Sequence, residues 1–423
     1  MSSATLSSVF TPARFGDEPV LLLDGGMGTT LQAPPFELAL DSALWSSELL
    51  ATEEGRAQLK KLHSTFIEAG ADVVETCTYQ SSLPLFLPST SSSFTEKDLS
   101  TSLHTMVSAL PVASSCCAPS SASSTSPAAA LSLGPFGASL QPGQEYGGLY
   151  PAPFSPSDAP ETPSKSTCPD AALAAVPLPL DAVAAPGLAP HEQHLAAWHL
   201  QRLQHFAQSD AFDSGIKLYA FETVPVLGEA TAIRRAVAVF NAERAAAGME
   251  SKPFYISFVF PRVKQDTAEE TVRFPDPTPA AASLSSLAAQ AEAVVSAALS
   301  PADGLALPAG LGFNCTSPLH AKAVVEALTA AVQRQQQSSA EKPWLVLYPD
   351  GGATYDVVSR SWHHPAGLTD DKWAVLVADA VRAGREAGAW GGVMAGGCCK
   401  AGPSAIKALK EEVGRRGWLN GRK

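Results

Sequence analysis

The sequence predicts an α/β protein folded as a single (β/α)8 TIM barrel, and three observations carry that prediction. Short apolar runs recur along the 423 residues. Stretches with helical spacing lie between several of them. Most of the runs end on a glycine or on a polar residue, as barrel strands do where they reach the chemistry-bearing rim.

The runs, in order, fall at 20–23, 71–74, 131–133, 216–221, 254–259, 311–313, 344–348 and 392–395. They lead respectively into Asp24-Gly25-Gly26, Glu75-Thr76, Gly134-Pro135, Glu222-Thr223, Pro261, Asn314-Cys315, Pro349-Asp350 and Gly396-Gly397-Cys398-Cys399. Continuous apolar runs of this length read as strands buried on both faces, the signature of a parallel sheet. Helical spacing marks 58–69, 191–208, 228–247, 284–299, 320–334, 370–387 and 403–413. No GxGxxG follows the first run, which argues against a dinucleotide-binding sheet. One barrel domain is expected over 17–415. The Ser/Pro/Ala-rich segments 114–130 and 151–190 read as insertions within it, with 84–93 of similar character.

Composition narrows the function classes. Hydrophobic residues make up 45 % of the chain, enough for a large core, and charged residues only 17 %. The net charge is -12 and no Lys/Arg-rich run occurs, so neither nucleic acid nor an anionic membrane is an expected partner. No uninterrupted apolar stretch approaches the ~18 residues of a membrane span. Residues 1–16 lack the charged start and apolar run of a secretory leader. Seven cysteines, an odd number, fit a reducing compartment better than a disulfide framework, and a cytoplasmic chain is expected.

Cys315 follows one run and Cys398-Cys399 another, far later in the chain. Three thiolates with a fourth position open form a recognised zinc donor set. Spacing alone leaves the alternative that these are buried small apolar residues. Gly396-Gly397 permit the backbone angles that a turn carrying adjacent ligands needs.

At these residues the chain resembles the homocysteine S-methyltransferase family of zinc-dependent barrels. The matching segments are Leu22-Leu23-Asp24-Gly25-Gly26-Met27-Gly28-Thr29, Glu75-Thr76-Cys77-Thr78-Tyr79-Gln80, Gly134-Pro135-Phe136-Gly137, Phe221-Glu222-Thr223-Val224-Pro225, Gly312-Phe313-Asn314-Cys315-Thr316-Ser317-Pro318 and Gly396-Gly397-Cys398-Cys399. Tyr348-Pro349-Asp350-Gly351-Gly352, Tyr355-Asp356, Ser361-Trp362-His363 and Ala43-Leu44-Trp45-Ser46 look most like its S-methylmethionine-using branch.

The resemblance implies that Cys315, Cys398 and Cys399 bind Zn2+ and act in catalysis. Homocysteine would take the open position as a thiolate and accept a methyl group from a sulfonium donor, S-methylmethionine or S-adenosylmethionine, giving methionine. It also implies that Asp24 and Glu222 hold the amino group of homocysteine, with the backbone of Gly25 and Gly26 near its carboxylate. Thr223 and Asn314 would shape the site, Asn314 by fixing the loop that presents Cys315. A different class of function, a catalytically silent barrel that binds zinc or thiols as a sensor, is the alternative.

Cys116-Cys117 lies in a Ser-rich stretch and reads as incidental; His363-His364 has no partner cluster and reads as a surface pair. Cys77, past the second run, would line the pocket or be sensitive to oxidation, and Tyr79 would border the substrate.

Overall fold

The computed structural model describes residues 5–11, 19–89, 91–118, 126–264, 270–335, 341–356, 361–363 and 367–419. Eight parallel strands form one sheet: β1 (Val20–Leu22), β2 (Val73–Glu75), β3 (Ala128–Leu133), β4 (Ile216–Val224), β5 (Phe254–Val259), β6 (Gly310–Asn314), β7 (Trp344–Tyr348) and β8 (Val393–Ala395). Each pairs with its neighbour in sequence, and β1 pairs with β8. A parallel bridge between Leu23 and Val73 joins β1 to β2 and closes the ring. The crossovers carry helices α1 (Glu53–Ala69), α2 (Ala109–Cys116), α3 (Pro190–Phe206), α4 (Leu227–Ala246), α5 (Leu287–Leu299), α6 (Ala321–Gln335), α7 (Asp370–Glu386) and α8 (Pro403–Arg415). This is a (β/α)8 barrel.

The continuous burial of the strands has a simple cause. One set of side chains points outward against the helices, among them Leu22, Val74, Leu131, Phe221, Ile256, Phe313 and Leu347. The alternate set fills the barrel: Leu21, Leu23, Val73, Ala130, Leu218, Ala220, Tyr255, Val346, Tyr348 and Met394. The helix boundaries also follow from local chemistry. Thr52 caps α1 by accepting from the Gly55 amide, and Gly70 at φ 116° stops it in the left-handed region.

Three segments depart from the sequence reading. Residues 5–11 belong to the barrel although the expected domain begins at 17. Leu6 and Phe10 are buried in the barrel interior, Phe10 lies 5.9 Å from Trp344, and Trp344 Nε1 donates to Ser7 Oγ at 3.2 Å. This short segment plugs the barrel at the end where the strands begin, opposite the cysteines.

The insertion expected at 114–130 is narrower, because α2 runs to Cys116 and β3 starts at Ala128. Ala128-Ala129-Ala130 is low in complexity, but its small side chains suit the crowded positions of a buried strand. The segment 151–190 lies in the β3–α3 connection and is packed, not bare loop. Ala172 and Val183 are buried, and Arg235 donates to the carbonyls of Val183 and Ala184 at 2.9 and 3.0 Å. Its last residue, Pro190, is the first of α3.

Candidate active site

All three cysteines of the expected metal set converge at the rim where the strands end. Cys315 follows β6 and Cys398-Cys399 follow β8, and their sulfurs all lie within 4.8 Å of one another. Among the described residues this is the one such cluster of metal-ligating side chains. Cys315 and Cys398 are joined as a disulfide, with Cys399 free beside them. In reduced form the trio is a soft donor set of the kind zinc prefers.

The backbone that presents these sulfurs is tightly sewn. Cys315 N–H donates to Tyr348 O at 3.2 Å, Cys398 N–H to Pro349 O at 2.9 Å, and Gly351 N–H to Cys399 O at 2.7 Å. The β8 loop also meets the β1 loop, through Gly397 N–H to Asp24 O at 3.0 Å and Gly26 N–H to Ala401 O at 2.9 Å. Glycine is required at that contact. A Cβ on Gly25 would stand 2.1 Å from Ala401 O, and one on Gly26 2.5 Å from Cys398 O. Gly25 and Gly26 thus let the two loops touch, and the Gly26 amide is already committed to Ala401.

Asn314 organises the rim from within β6. Fully buried, it accepts at Oδ1 from Thr223 N–H (2.7 Å) and the Ser257 hydroxyl (2.8 Å). Its Nδ2 donates to Thr223 Oγ1 at 2.7 Å and to Cys315 Sγ at 3.3 Å. Thr223 and Cys315 both adopt left-handed backbone, at φ 59° and 48°. That conformation is unusual for non-glycine residues, and most so for β-branched threonine. One side chain therefore ties together two strained turns and a cysteine sulfur.

Three carboxyl groups gather at the same strand ends, Asp24 just past β1, Glu75 at the end of β2 and Glu222 near the end of β4. Asp24 is 2 % exposed and Glu222 6 %. Asp24 Oδ2 accepts from Glu75 N–H at 3.0 Å, and Glu222 accepts from the Ser132 hydroxyl. Glu75 Oε1 accepts from Tyr255 O–H at 2.5 Å. Burial raises the Asp24 and Glu222 carboxyls well above the usual carboxylate range, and the neighbouring Glu75 charge adds to it. Burial likewise lifts Glu75 to about 7, against the pull of the Tyr255 hydrogen bond. Burial, then the charges of Asp350 and Glu145, push Cys399 up to about 12. A pocket this acidic and this dry favours a cation.

A family model described as homocysteine S-methyltransferase matches residues 21–413. The chain belongs to that family. It is accordingly a methyltransferase. Homocysteine S-methyltransferase YbgG of Bacillus subtilis is 25 % identical over 394 residues, covering 92 % of this chain and 93 % of its own. The Escherichia coli homocysteine S-methyltransferase is 25 % identical over 403 residues, 94 % of this chain and 96 % of its own. The selenocysteine methyltransferase of Astragalus bisulcatus is 23 % identical over 405 residues, 92 % of this chain and 90 % of its own. The fold is shared with the crystal structure of the homocysteine methyltransferase MmuM from Escherichia coli in its oxidised form. That likeness has a TM-score of 0.53 at 22 % identity and covers 93 % of this chain and 96 % of the other.

Against that family frame, several rim residues escaped the sequence reading. Glu75 ends β2 and stands where the second apolar run gives out, as Asp24 does for the first, so the same signal was present. Tyr255 and Tyr348 lie in apolar runs and read there as core. Glu145 and Tyr146 sit in a Gly- and Gln-containing loop after β3 with no strand or helix to flag them. Arg202, on α3, donates to the carbonyls of Ser81, Gly134, Thr78 and Tyr79 at 2.9, 2.8, 3.2 and 2.9 Å, pinning the loops after β2 and β3. Cys77 does not line the pocket. It is 2 % exposed in the layer between barrel and helices, where burial pushes its thiol up to about 12. Tyr79 feels the charges of Glu145 and Glu222, at the rim. Residues 354–356 and 361–363 pair as an antiparallel hairpin, and His364 lies outside the described residues.

Proposed function

We propose that this chain transfers a methyl group from a sulfonium donor, S-methylmethionine or S-adenosylmethionine, to the thiolate of homocysteine, forming methionine. The observation that carries this reading is the convergence of three cysteine sulfurs, within 4.8 Å of one another, above a floor of buried carboxyl groups. Cys315, Cys398 and Cys399 would hold zinc, which when bound keeps a coordinating thiol ionised at neutral pH. The other parts follow from the chain itself. Asp24 and Glu222 take the ammonium group of the acceptor, whose arrival offsets the cost of ionising two buried acids. Asn314 and the left-handed turn at Thr223 hold Cys315 and Glu222 in register. No side-chain base is needed at the transfer itself, because the acceptor thiol has already lost its proton to solvent.

Because the Asp24 and Glu222 carboxyls are raised, homocysteine binding should weaken as pH falls and those groups take up protons. The deciding experiment supplies homocysteine with S-methylmethionine, S-adenosylmethionine or betaine, using reduced protein of measured zinc content. Methionine formed from a sulfonium donor, in proportion to zinc, is expected. Turnover with betaine alone sinks the donor assignment, and stoichiometric zinc with no turnover sinks the enzymatic reading. No helix among the described residues is long and apolar enough to cross a membrane, in keeping with small soluble substrates.

A further inference from the structure

Both substrates of the proposed reaction carry positive charge, and the structure holds two separate kinds of acid to meet them. The floor acids Asp24, Glu75 and Glu222 come from strand ends and are tied to barrel groups: the Glu75 amide, Tyr255 and Ser132. Glu145 is different. It lies in the loop after β3, and its Oε2 is buried with no hydrogen-bond partner. Burial holds its carboxyl above the usual range, and only its own backbone amide pulls the other way; no lysine or arginine offsets it.

The surroundings of Glu145 are aromatic and sulfur-bearing. Its charge bears on Tyr79, Tyr146 and Cys399, and Cys399 bears in turn on Tyr146. Tyr146 is 45 % exposed and Glu145 only partly buried, so this pair stands at the mouth of the site. The loop is fixed on either side. Gln144 N–H donates to Gly137 O at 2.9 Å and its Nε2 to Ser164 Oγ at 2.7 Å. Gly148 turns at φ 66°, packed so closely that a Cβ there would meet Val226 Cγ1 at 2.7 Å.

In-line methyl transfer places the donor sulfur across the methyl carbon from the acceptor sulfur. With the acceptor sulfur at the three cysteines and its ammonium on the floor, the donor sulfur stands on the mouth side. We propose that Glu145 and the ring of Tyr146 hold the positively charged sulfur of the methyl donor, and so select sulfonium donors over neutral thioethers. This rests on the methyl-transfer reading above. In the step, a lone pair of the acceptor thiolate forms the new S–C bond. The S–C bond of the donor breaks, its electron pair returns to the donor sulfur, and a neutral thioether leaves. Glu145 loses its counter-charge as this happens, which favours release. Because that charge is already fading in the transition state, Glu145 and Tyr146 act on donor binding more than on kcat.

The test measures calorimetric binding of S-methylmethionine, methionine and homocysteine to the zinc-loaded full chain and its variants. Glu145→Gln should weaken S-methylmethionine on the order of tenfold, while methionine and homocysteine change less than about twofold. Tyr146→Phe keeps the aromatic face and should bind as wild type does; Tyr146→Ala should lose about fivefold for the sulfonium alone. In turnover, Glu145→Gln should raise the donor KM and leave kcat within about threefold. For Glu145→Gln and Tyr146→Ala, equal losses for the sulfonium and the thioether, a selective loss of homocysteine, or no change would each overturn the assignment. Should no sulfonium donor be turned over by the wild type, the methyl-transfer reading falls. The charged-versus-neutral binding comparison still decides the role of Glu145.

Discussion

Two Cys-Cys pairs occur in this chain, and they share a dipeptide but not a chemistry. Cys116-Cys117 closes α2. Cys116 Sγ donates to the carbonyls of Val112 and Lys60 at 3.4 and 3.6 Å, and Cys117 Sγ to Ala113 at 3.6 Å. Two of these are i to i−4 contacts that any helical cysteine makes, and the third touches a carbonyl of the neighbouring α1. Cys398-Cys399 follows β8, and what matters there comes from elsewhere: a third sulfur from β6, an amide from Asn314, and acids from several loops. Sequence-adjacent thiols acquire function from what the fold brings to them. Adjacency itself confers none.

The sharpest break of that comparison is a pair of alanine substitutions in reduced protein. Cys398→Ala leaves two sulfurs of three, and zinc content and turnover should fall together by more than about a hundredfold, the upper end for losing mere supporting contacts to a metal. Its melting temperature should change little, because Cys398 is only partly buried and packs at the edge of the barrel interior. Cys116→Ala should retain zinc and full activity. Equal losses in the two variants would mean that the α2 pair has a role the structure does not show.

A smaller effect tests the supporting amide. Asn314→Ala strands the Thr223 amide in a dry interior and takes one partner from each of the Thr223 and Ser257 hydroxyls, at a cost of about 3 kcal/mol of stability. Activity should fall on the order of 10- to 100-fold even in the fraction that remains folded and loaded with zinc, because Cys315 loses its nearest donor. Chemical denaturation and single-turnover rates on the same sample separate the two losses. A drop in stability with unchanged turnover would show that Asn314 serves packing only.

How much of this was readable in the sequence depends on how local each cause is. The eight strands were readable because a strand buried on both faces needs a continuous apolar run, and chain order alone then implies the barrel. Asp24 and Glu222 directly follow such runs and Cys315, Cys398 and Cys399 come within a few residues of one, and the family resemblance singled them out there. The Ala128-Ala129-Ala130 start of β3 was hidden because alanine is common in loops and crowded strands alike. The plug formed by residues 5–11 was hidden because its Leu6 and Phe10 become core only against Trp344, more than three hundred residues away. Tyr255 and Tyr348 look like any aromatic residue of a buried strand until their inward direction and the Glu75 and Glu222 carboxyls are known. Glu145 depends wholly on where a loop lands.

The smallest expected effect concerns the acids that set the Cys398-Cys399 pair apart, and it is read as stability against pH. Glu75 titrates at about 7 in the folded chain against an ordinary 4.5. The folded state thus binds more protons than the unfolded state between those values, so this group makes stability fall as pH rises through that window. Glu75→Gln keeps an oxygen for the Tyr255 hydroxyl and removes the charge that bears on Asp24 and Glu222. The variant should melt at the wild-type temperature near pH 4.5 and a few degrees above it at pH 8, where the wild type must hold another negative charge in the acidic floor. A variant less stable than wild type at pH 8 would instead mean that ionised Glu75 is a net support of the site, and that the floor is built to hold three charges at once.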